Sequence, residues 1–236
     1  MFVEIRAALE YNEHGALLWA ENFPGACSRG ATPDEAKEKL PAAVRLFLRW
    51  RDGVAPPEDF SVRVVQEKKS GLEIRDADSD ILLDSEQKPL TLEEYAELKA
   101  QVLRSAKDFQ QLYDAVPDKC RTGLPERKTF YGEIPRTAEE MYRHTNQVSN
   151  YYIGELGADF ENLPDILENR ALALQMAEDL PDFLENKVIE GSYGELWSLR
   201  KALRRFLWHD RIHAKALWRM ARRIWPDIPD PFCFGE

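Results

Sequence analysis

Helix-start signals in the second half of the chain are the feature that most restricts how it can fold. Thr91-Leu92-Glu93-Glu94 and Thr137-Ala138-Glu139-Glu140 both form a capping box, in which the Thr and Glu side chains bond the first free backbone N–H groups of a helix. Further starts are indicated at Pro164-Asp165 and after Gly191-Ser192-Tyr193-Gly194-Glu195. The four predicted helices end near Val116, Leu156, Pro181 and Pro226. Four successive helices joined by turns predict a four-helix bundle over residues 91–236.

The first 66 residues have a strand-rich pattern and predict a small α+β domain. Asn12-Glu13-His14-Gly15 separates two runs of strand-forming residues, as in a β-hairpin. Thr32-Pro33-Asp34-Glu35 predicts a helix start, with Thr32 as the N-cap. The predicted order is strand 2–9, strand 16–21, a short strand within 23–30, helix 32–51 and strand 61–66.

Residues 67–90 are polar and mixed, and we expect them to connect the two domains. Leu72-Glu73-Ile74 and Ile81-Leu82-Leu83 are short apolar runs between turns rich in Asp and Ser, so each predicts a short strand. The fold class expected for the whole chain is therefore α+β. Its domains are a β-β-β-α-β domain at 1–66, a connector at 67–90 and a four-helix bundle at 91–236.

The net charge of −10 and the pI near 5.1 argue against broad binding to nucleic acid or to anionic membranes, which requires a basic surface. Basic side chains nevertheless concentrate in the last predicted helix. They are Arg200, Lys201, Arg204, Arg205, Arg211, Lys215, Arg219, Arg222 and Arg223. Two interpretations remain open: a solvated helix face, which we favour, or a surface for an anionic ligand or an acidic partner.

The cysteines and the N-terminus predict a cytoplasmic protein. Cys27, Cys120 and Cys233 are odd in number and far apart, which fits neither a disulfide framework nor a CxxC metal clip. The N-terminal residues include early charges and no apolar core of signal-peptide length. No run approaches the roughly 20 apolar residues of a membrane span.

Three of the four histidines form a pattern that predicts a metal site. His209 and His213 are four residues apart on the last predicted helix and therefore share one face, and His144 lies on the second. Three imidazoles from two helices can bind a divalent metal and leave coordination positions open, as catalytic sites do. Zinc is the expected ion, and nickel or manganese also suits nitrogen ligands. A single histidine is more often a surface or core residue, so the prediction depends on all three.

Residues near these histidines are candidates for supporting roles. Asp210 falls near the centre of the apolar stripe of its helix, where an unpaired carboxylate is costly. It would either accept a hydrogen bond from an imidazole or pair with an arginine such as Arg143. Asp210, Glu140 and Tyr151 are candidates for a general base, because they are close to the histidines in sequence.

Residues 91–226 resemble the DinB superfamily, a four-helix bundle with a three-histidine metal site. The resemblance rests on His144, after the acidic capping segment that begins at Thr137, and on the His-x-x-x-His pair His209 and His213. It implies that these three residues are the metal ligands. It also implies a metal-dependent thiol S-transferase or hydrolase acting on a small molecule, with a low-molecular-weight thiol such as bacillithiol or mycothiol as cofactor.

Residues 1–66 resemble the HicB-like antitoxin domain. The motifs are Tyr11-Asn12-Glu13-His14-Gly15, Phe23-Pro24-Gly25-Ala26-Cys27 and Gly30-Ala31-Thr32-Pro33-Asp34-Glu35-Ala36. The resemblance implies a docking or dimerisation unit, and hence a protein partner or a homodimer. The alternative function is a non-catalytic metal-binding stress-response or interaction protein whose N-terminal domain recruits a partner. An antitoxin that blocks an RNase toxin is a third, weaker hypothesis.

Overall fold

The computed structural model describes residues 3–53 and 56–235, and the chain divides into two compact units. We call Met1–Ser85 the sheet unit and Glu86–Glu236 the helical unit. The fold is α+β, with an N-terminal sheet and one helix followed by further helices. Phe2, with which the first strand was expected to begin, lies outside the described residues.

The sheet unit contains a four-stranded sheet with the strand order β3-β2-β1-β4. Its elements are β1 (Val3–Asn12), β2 (Gly15–Ala20), β3 (Cys27–Gly30), α1 (Pro33–Asp52) and β4 (Phe60–Lys69). Strand β1 pairs antiparallel with β2 and parallel with β4, and β2 pairs antiparallel with β3. The predicted order of strands and helix is confirmed, because the hairpin turn and the helix start are both encoded locally.

Helix α1 is capped at both ends and packs on β2 and β3. The hydroxyl of Thr32 accepts a hydrogen bond from the backbone N–H of Glu35 at 3.2 Å. Gly53 ends the helix in the left-handed region (φ 67°), where its N–H donates to the carbonyl of Arg49. The buried face consists of Ala36, Leu40, Val44, Phe47, Leu48 and Trp50.

The segment after β4, up to Ser85, belongs to the sheet unit. Every residue of β2 is buried although α1 can cover only one face of the sheet, so this segment covers the other. Asn12 anchors it by donating its side-chain amide to the carbonyl of Leu72 at 2.8 Å. The unit therefore extends to Ser85, beyond the limit of residue 66 expected from sequence.

The two short strands predicted in this segment are wrong. Ile74–Asp76 forms a 3-10 turn, and residues 81–83 pair with no strand among the described residues. Ile74, Ile81 and Leu83 are nevertheless almost completely buried. Aspartate and serine side chains form hydrogen bonds with nearby backbone and thereby favour turns over strands. The buried apolar side chains attach the segment to the sheet unit without strand pairing.

The helical unit contains the four helices that were predicted. They are α2 (Leu92–Ala115), α3 (Ala138–Gly154), α4 (Ile166–Glu178) and α5 (Leu199–Ile224). Two short hairpins accompany them: β5 (Lys128–Thr129) with β6 (Gly132–Glu133), and β7 (Ile189–Glu190) with β8 (Leu196–Trp197). Helices α2 and α3 each pack against both α4 and α5, which places the four helices around a common core.

Capping explains where these helices begin. The Thr91 and Thr137 hydroxyls accept from the N–H groups of Glu94 and Glu140, and both glutamates bond back to the cap residue. Asp165 caps α4, and Ser198 caps α5. None of the helices in the described part of the chain is both long and apolar enough to cross a membrane.

The start of α5 is held by buried polar contacts with Glu86, the first residue of the helical unit. The Glu86 carboxylate bonds the guanidinium of Arg204, and both side chains are nearly inaccessible to solvent. The backbone carbonyl of Glu86 accepts from Asn186 at 2.6 Å and from Ser198 at 2.8 Å. Glu86 thus connects the segment before α2 to the first turns of α5.

Candidate metal centre

Helices α3 and α5 bring the three predicted histidines together. His144 lies in the second turn of α3, and His209 and His213 lie one turn apart on α5. Since α3 and α5 pack against each other, their facing edges place the imidazoles side by side. The three imidazole rings have centroids 4.4 to 5.0 Å apart.

The spacing of the nitrogens suits one metal ion. One ring nitrogen from each histidine lies within 4.8 Å of the other two. Nε2 of His144 and Nε2 of His209 are 3.2 Å apart. Three nitrogens bound to one tetrahedral zinc ion at about 2.0–2.1 Å are roughly 3.3 Å from one another. The pair from His144 and His209 already has this separation, and the nitrogen of His213 lies within 4.8 Å of both.

The three histidines differ in solvent exposure. His209 is 6% exposed, His213 is partly buried and His144 is exposed. The site is therefore closed on the side of His209 and open on the side of His144. Such a gradient is what access for a small molecule requires, because a fully enclosed site would admit none.

The environment keeps all three imidazoles neutral. The pKa of His213 is lowered to about 3, first by burial and then by the neighbouring His144. The pKa of His209 falls well below its ordinary value because of burial first, and then because of His213 and His144. His144 is exposed as a residue, but its ring lies against those of His209 and His213, and this partial desolvation lowers its pKa as well. Neutral imidazole is the form that binds metal, so the donor set fits a divalent cation at neutral pH.

Asp210 pairs with Arg170 of α4, not with Arg143. Nη2 of Arg170 donates to Oδ1 of Asp210 at 2.8 Å, and neither side chain is exposed. Burial raises the pKa of Asp210, and the charge of Arg170 opposes this shift. Arg143 lies on the exposed face of α3, 3.8 Å from Glu139. The expected arginine partner is therefore present, but it is Arg170 and not Arg143, because Asp210 is buried in the core and Arg143 is exposed.

The interpretation of the basic stretch as a solvated helix face is wrong for four of its members. Lys201, Arg204, Arg205 and Arg211 are buried. Lys201 lies 2.8 Å from Glu195, and the guanidinium of Arg205 lies 5.2 to 5.8 Å from the rings of Tyr152, Trp197 and Trp208. Carboxylates and aromatic faces replace water around these cations. Arg219, Arg222 and Arg223 at the end of α5 are exposed, as expected.

The three candidates for a general base have different environments. The Glu140 carboxylate accepts backbone N–H groups of Arg136 and Thr137, so it is part of the α3 cap. Asp210 is in the buried pair with Arg170. Tyr151 is 38% exposed, and burial of its remaining surface raises its pKa. A phenol with a raised pKa stays protonated at neutral pH and is a donor, not a base.

Sequence reasoning missed Arg170 and the aromatic residues near His209. Tyr152 and Trp208 lie with ring centroids 6.2 and 6.1 Å from that of His209. The signal for Arg170 was a charged residue directly before the apolar run Ala171-Leu172-Ala173-Leu174, where an interior side chain is expected. Its partner lies 40 residues away on another helix, and no local pattern identifies such a pair.

Comparison of the chain with protein-family models, with curated proteins and with solved structures gave no match.

Proposed function

We propose that His144, His209 and His213 bind one divalent metal ion, zinc in the first place, and that the protein is a metal-dependent enzyme of the thiol S-transferase or hydrolase type. The observation that carries the proposal is the convergence of three neutral imidazole nitrogens within 4.8 Å, at a site with one open side. A bound ion of this kind supplies a nucleophile near neutral pH by lowering the pKa of water or of a thiol.

The residues of the chain have separable roles in this proposal. His209, the most buried of the three, fixes the position of the ion, and His144 lies at the opening where a substrate enters. Tyr152 and Trp208 pack beside His209, with ring centroids 6.2 and 6.1 Å from that of its imidazole. Three ligands leave a coordination position for the reacting molecule, in contrast to structural zinc sites, which are closed by four protein ligands.

We also propose that the helical unit is DinB-like and the sheet unit HicB-like. The first is supported by four helices with the metal-binding histidines on the second and last of them. The second is supported by the β-β-β-α-β order and the capped helix that begins at Pro33. The thiol chemistry rests on the first of these resemblances.

Metal binding is tested by loading the protein with zinc and measuring the bound metal per chain. We expect about one equivalent in the wild type, as for a single three-histidine site. The double variant His209→Ala, His213→Ala should lose it. His14→Ala is the matched control, because His14 is the fourth histidine and is exposed in the β1–β2 turn. Equal metal content in the wild type and the double variant would reject the site.

The reaction class is tested with the zinc-loaded protein, a low-molecular-weight thiol and an alkyl halide. In S-transfer the thiol sulfur bonds to carbon, the halide leaves with the bonding electrons, and the thiol proton passes to solvent. We expect thiol consumption with the wild type and His14→Ala, and none above background with the double variant. Metal binding without any such difference would leave the ion in place but reject the transferase assignment.

A further inference from the structure

Buried polar side chains from all four helices lie inside the helical unit next to the candidate metal centre. We call them the central polar cluster, and none has any exposed surface. Its members are Ser105 on α2, Thr145 and Ser149 on α3, Arg170 on α4 and Asp210 on α5. Since α4 and α5 are joined across the core by the Arg170–Asp210 pair, the cluster lies where the four helices meet.

The contacts of Tyr152 place the hydroxyls of α3 next to this ion pair. Thr145, Ser149 and Tyr152 follow one another at helical spacing and therefore share the inner face of α3. The ring of Tyr152 lies 5.2 Å from that of Phe206 and 6.2 Å from that of His209. The guanidinium of Arg170 lies over the same Phe206 ring, 3.8 Å from its centroid.

The cluster has more polar atoms than the protein itself satisfies. Seven buried atoms here have no hydrogen-bond partner among the described residues. They are Ser105 Oγ, Thr145 Oγ1, Ser149 Oγ, Arg170 Nε and Nη1, Asp210 Oδ2 and His209 Nδ1. An unsatisfied buried polar group costs about 1–3 kcal/mol, and native proteins contain few of them. Ordered water, which makes about three hydrogen bonds per molecule in polar interiors, satisfies such groups.

His209 connects the cluster to the metal centre. Its Nε2 lies 3.2 Å from Nε2 of His144, a separation that fits two ligands of one ion and, without an ion, a hydrogen bond between the rings in which His209 Nε2 is the acceptor when its proton is on Nδ1. A neutral imidazole that binds metal through Nε2 carries its proton on Nδ1, and that buried N–H requires an acceptor. Asp210, the next residue of α5, has a buried carboxylate oxygen, Oδ2, that also has no partner at hydrogen-bond distance among the described residues; consecutive helical side chains do not face each other, so water has to bridge the two groups.

We propose that the central polar cluster binds ordered water molecules, which link the Nδ1–H of His209 to Oδ2 of Asp210 and hold the imidazole in the metal-binding tautomer. Asp210 and the α3 hydroxyls are then positioning residues. Arg170 fixes the carboxylate through Oδ1, and the Ser105 hydroxyl of α2 also interacts with this carboxylate and lowers its pKa, so the water at Oδ2 lies between Ser105 and His209. The water sites and the tautomer stand independently of the proposed function, and only the predicted effect on metal affinity rests on it.

The metal-free protein provides the first test. Long-range ¹⁵N–¹H correlation spectra of the histidine rings should show His209 as the Nδ1–H tautomer, and a high-resolution crystal structure should show ordered water at Asp210 Oδ2. A His209 protonated on Nε2, or a dry contact at Asp210 Oδ2, would overturn the proposal. This test needs no variant, so its result does not depend on whether an altered cluster folds.

Zinc affinity provides the second test. Thr145→Val and Ser149→Ala remove the two α3 hydroxyls with little change of volume, and Thr129→Val in the β5–β6 hairpin is the matched control. We expect the double cluster variant to raise the zinc dissociation constant about 10–100-fold, as loss of outer-shell partners does, and to show mixed tautomers of His209. Unchanged affinity together with an unchanged tautomer would overturn the positioning role.

The two tests separate this inference from the proposed function. If the wild type binds no zinc, the proposed function fails, while the tautomer and the water sites still decide the inference. If the wild type binds zinc but the cluster variants behave like Thr129→Val, the inference fails and the metal site stands.

Discussion

His144, His209 and His213 have different surroundings although their rings are in contact. His209 is buried next to the central polar cluster, His213 is partly buried and His144 is exposed to solvent. Burial disfavours protonation of these imidazoles in the folded chain but not in the unfolded chain, so the free energy of unfolding depends on pH. The stability of the metal-free protein should therefore report on these residues.

Acidification should destabilise the metal-free protein. The folded chain holds the pKa of His213 at about 3 and lowers those of His144 and His209 below the ordinary 6.5. Below pH 6.5 the unfolded chain therefore binds more protons than the folded chain, which favours unfolding. We expect the urea concentration at the unfolding midpoint to decrease as the pH is lowered from about 7 to about 5. His213→Gln should reduce this fall, whereas His14→Gln should not; equal pH dependence in both would contradict the assignment.

The Arg170–Asp210 pair should matter most when only one partner is removed. Arg170→Met leaves the Asp210 carboxylate buried without its cation, and we expect a loss of about 3–5 kcal/mol in the free energy of unfolding. The double variant Arg170→Met, Asp210→Leu removes both charges and should recover most of that loss. Urea unfolding followed by circular dichroism measures both. Additive losses in the double variant would show that the two residues do not act as a pair.

At the scale of elements, α3 and α5 bring the candidate ligands together, and the starts of both are encoded locally. Thr137 and Glu140 are three residues apart, so sequence alone predicted the cap of α3. The convergence of His144 with His209 and His213 followed from spacing plus the expected bundle. Arg170 was not found, because its contact with Asp210 spans 40 residues and depends on how α4 is rotated.

Loss of the α3 cap should weaken the helix that carries His144. Thr137→Ala removes the hydroxyl that accepts the N–H of Glu140, and we expect a loss of about 1 kcal/mol in unfolding free energy. Thr137→Ser keeps an acceptor and should be close to wild type in the same urea titration. If Thr137→Ser were as unstable as Thr137→Ala, the hydrogen bond would not be the stabilising contact.

At the scale of the whole molecule, the boundary between the two units falls between Ser85 and Glu86. All three histidines and the central polar cluster belong to the helical unit. The boundary at residue 91 expected from sequence would remove Glu86, whose carboxylate bonds the buried Arg204. The short segment Glu86-Gln87-Lys88-Pro89-Leu90 carries no signal that its glutamate side chain is part of a core.

The two boundaries predict different behaviour of truncated proteins. A fragment of residues 86–236 should fold and bind zinc as the full chain does. A fragment of residues 91–236 leaves Arg204 buried without its carboxylate, and we expect it to be less stable by about 3–5 kcal/mol. Thermal unfolding of the two fragments makes the comparison. Equal stability would mean that Glu86 contributes little to the helical unit.

The origin of the ligands on two helices has one more consequence. His144 and His209 are 65 residues apart in the chain, and all of α4 lies between them. A partly folded state that keeps α5 as a helix but loses its packing on α3 retains only the His209–His213 pair. If the proposed site binds metal, its affinity would therefore report tertiary packing, because chains with only secondary structure would lack the ligand from α3.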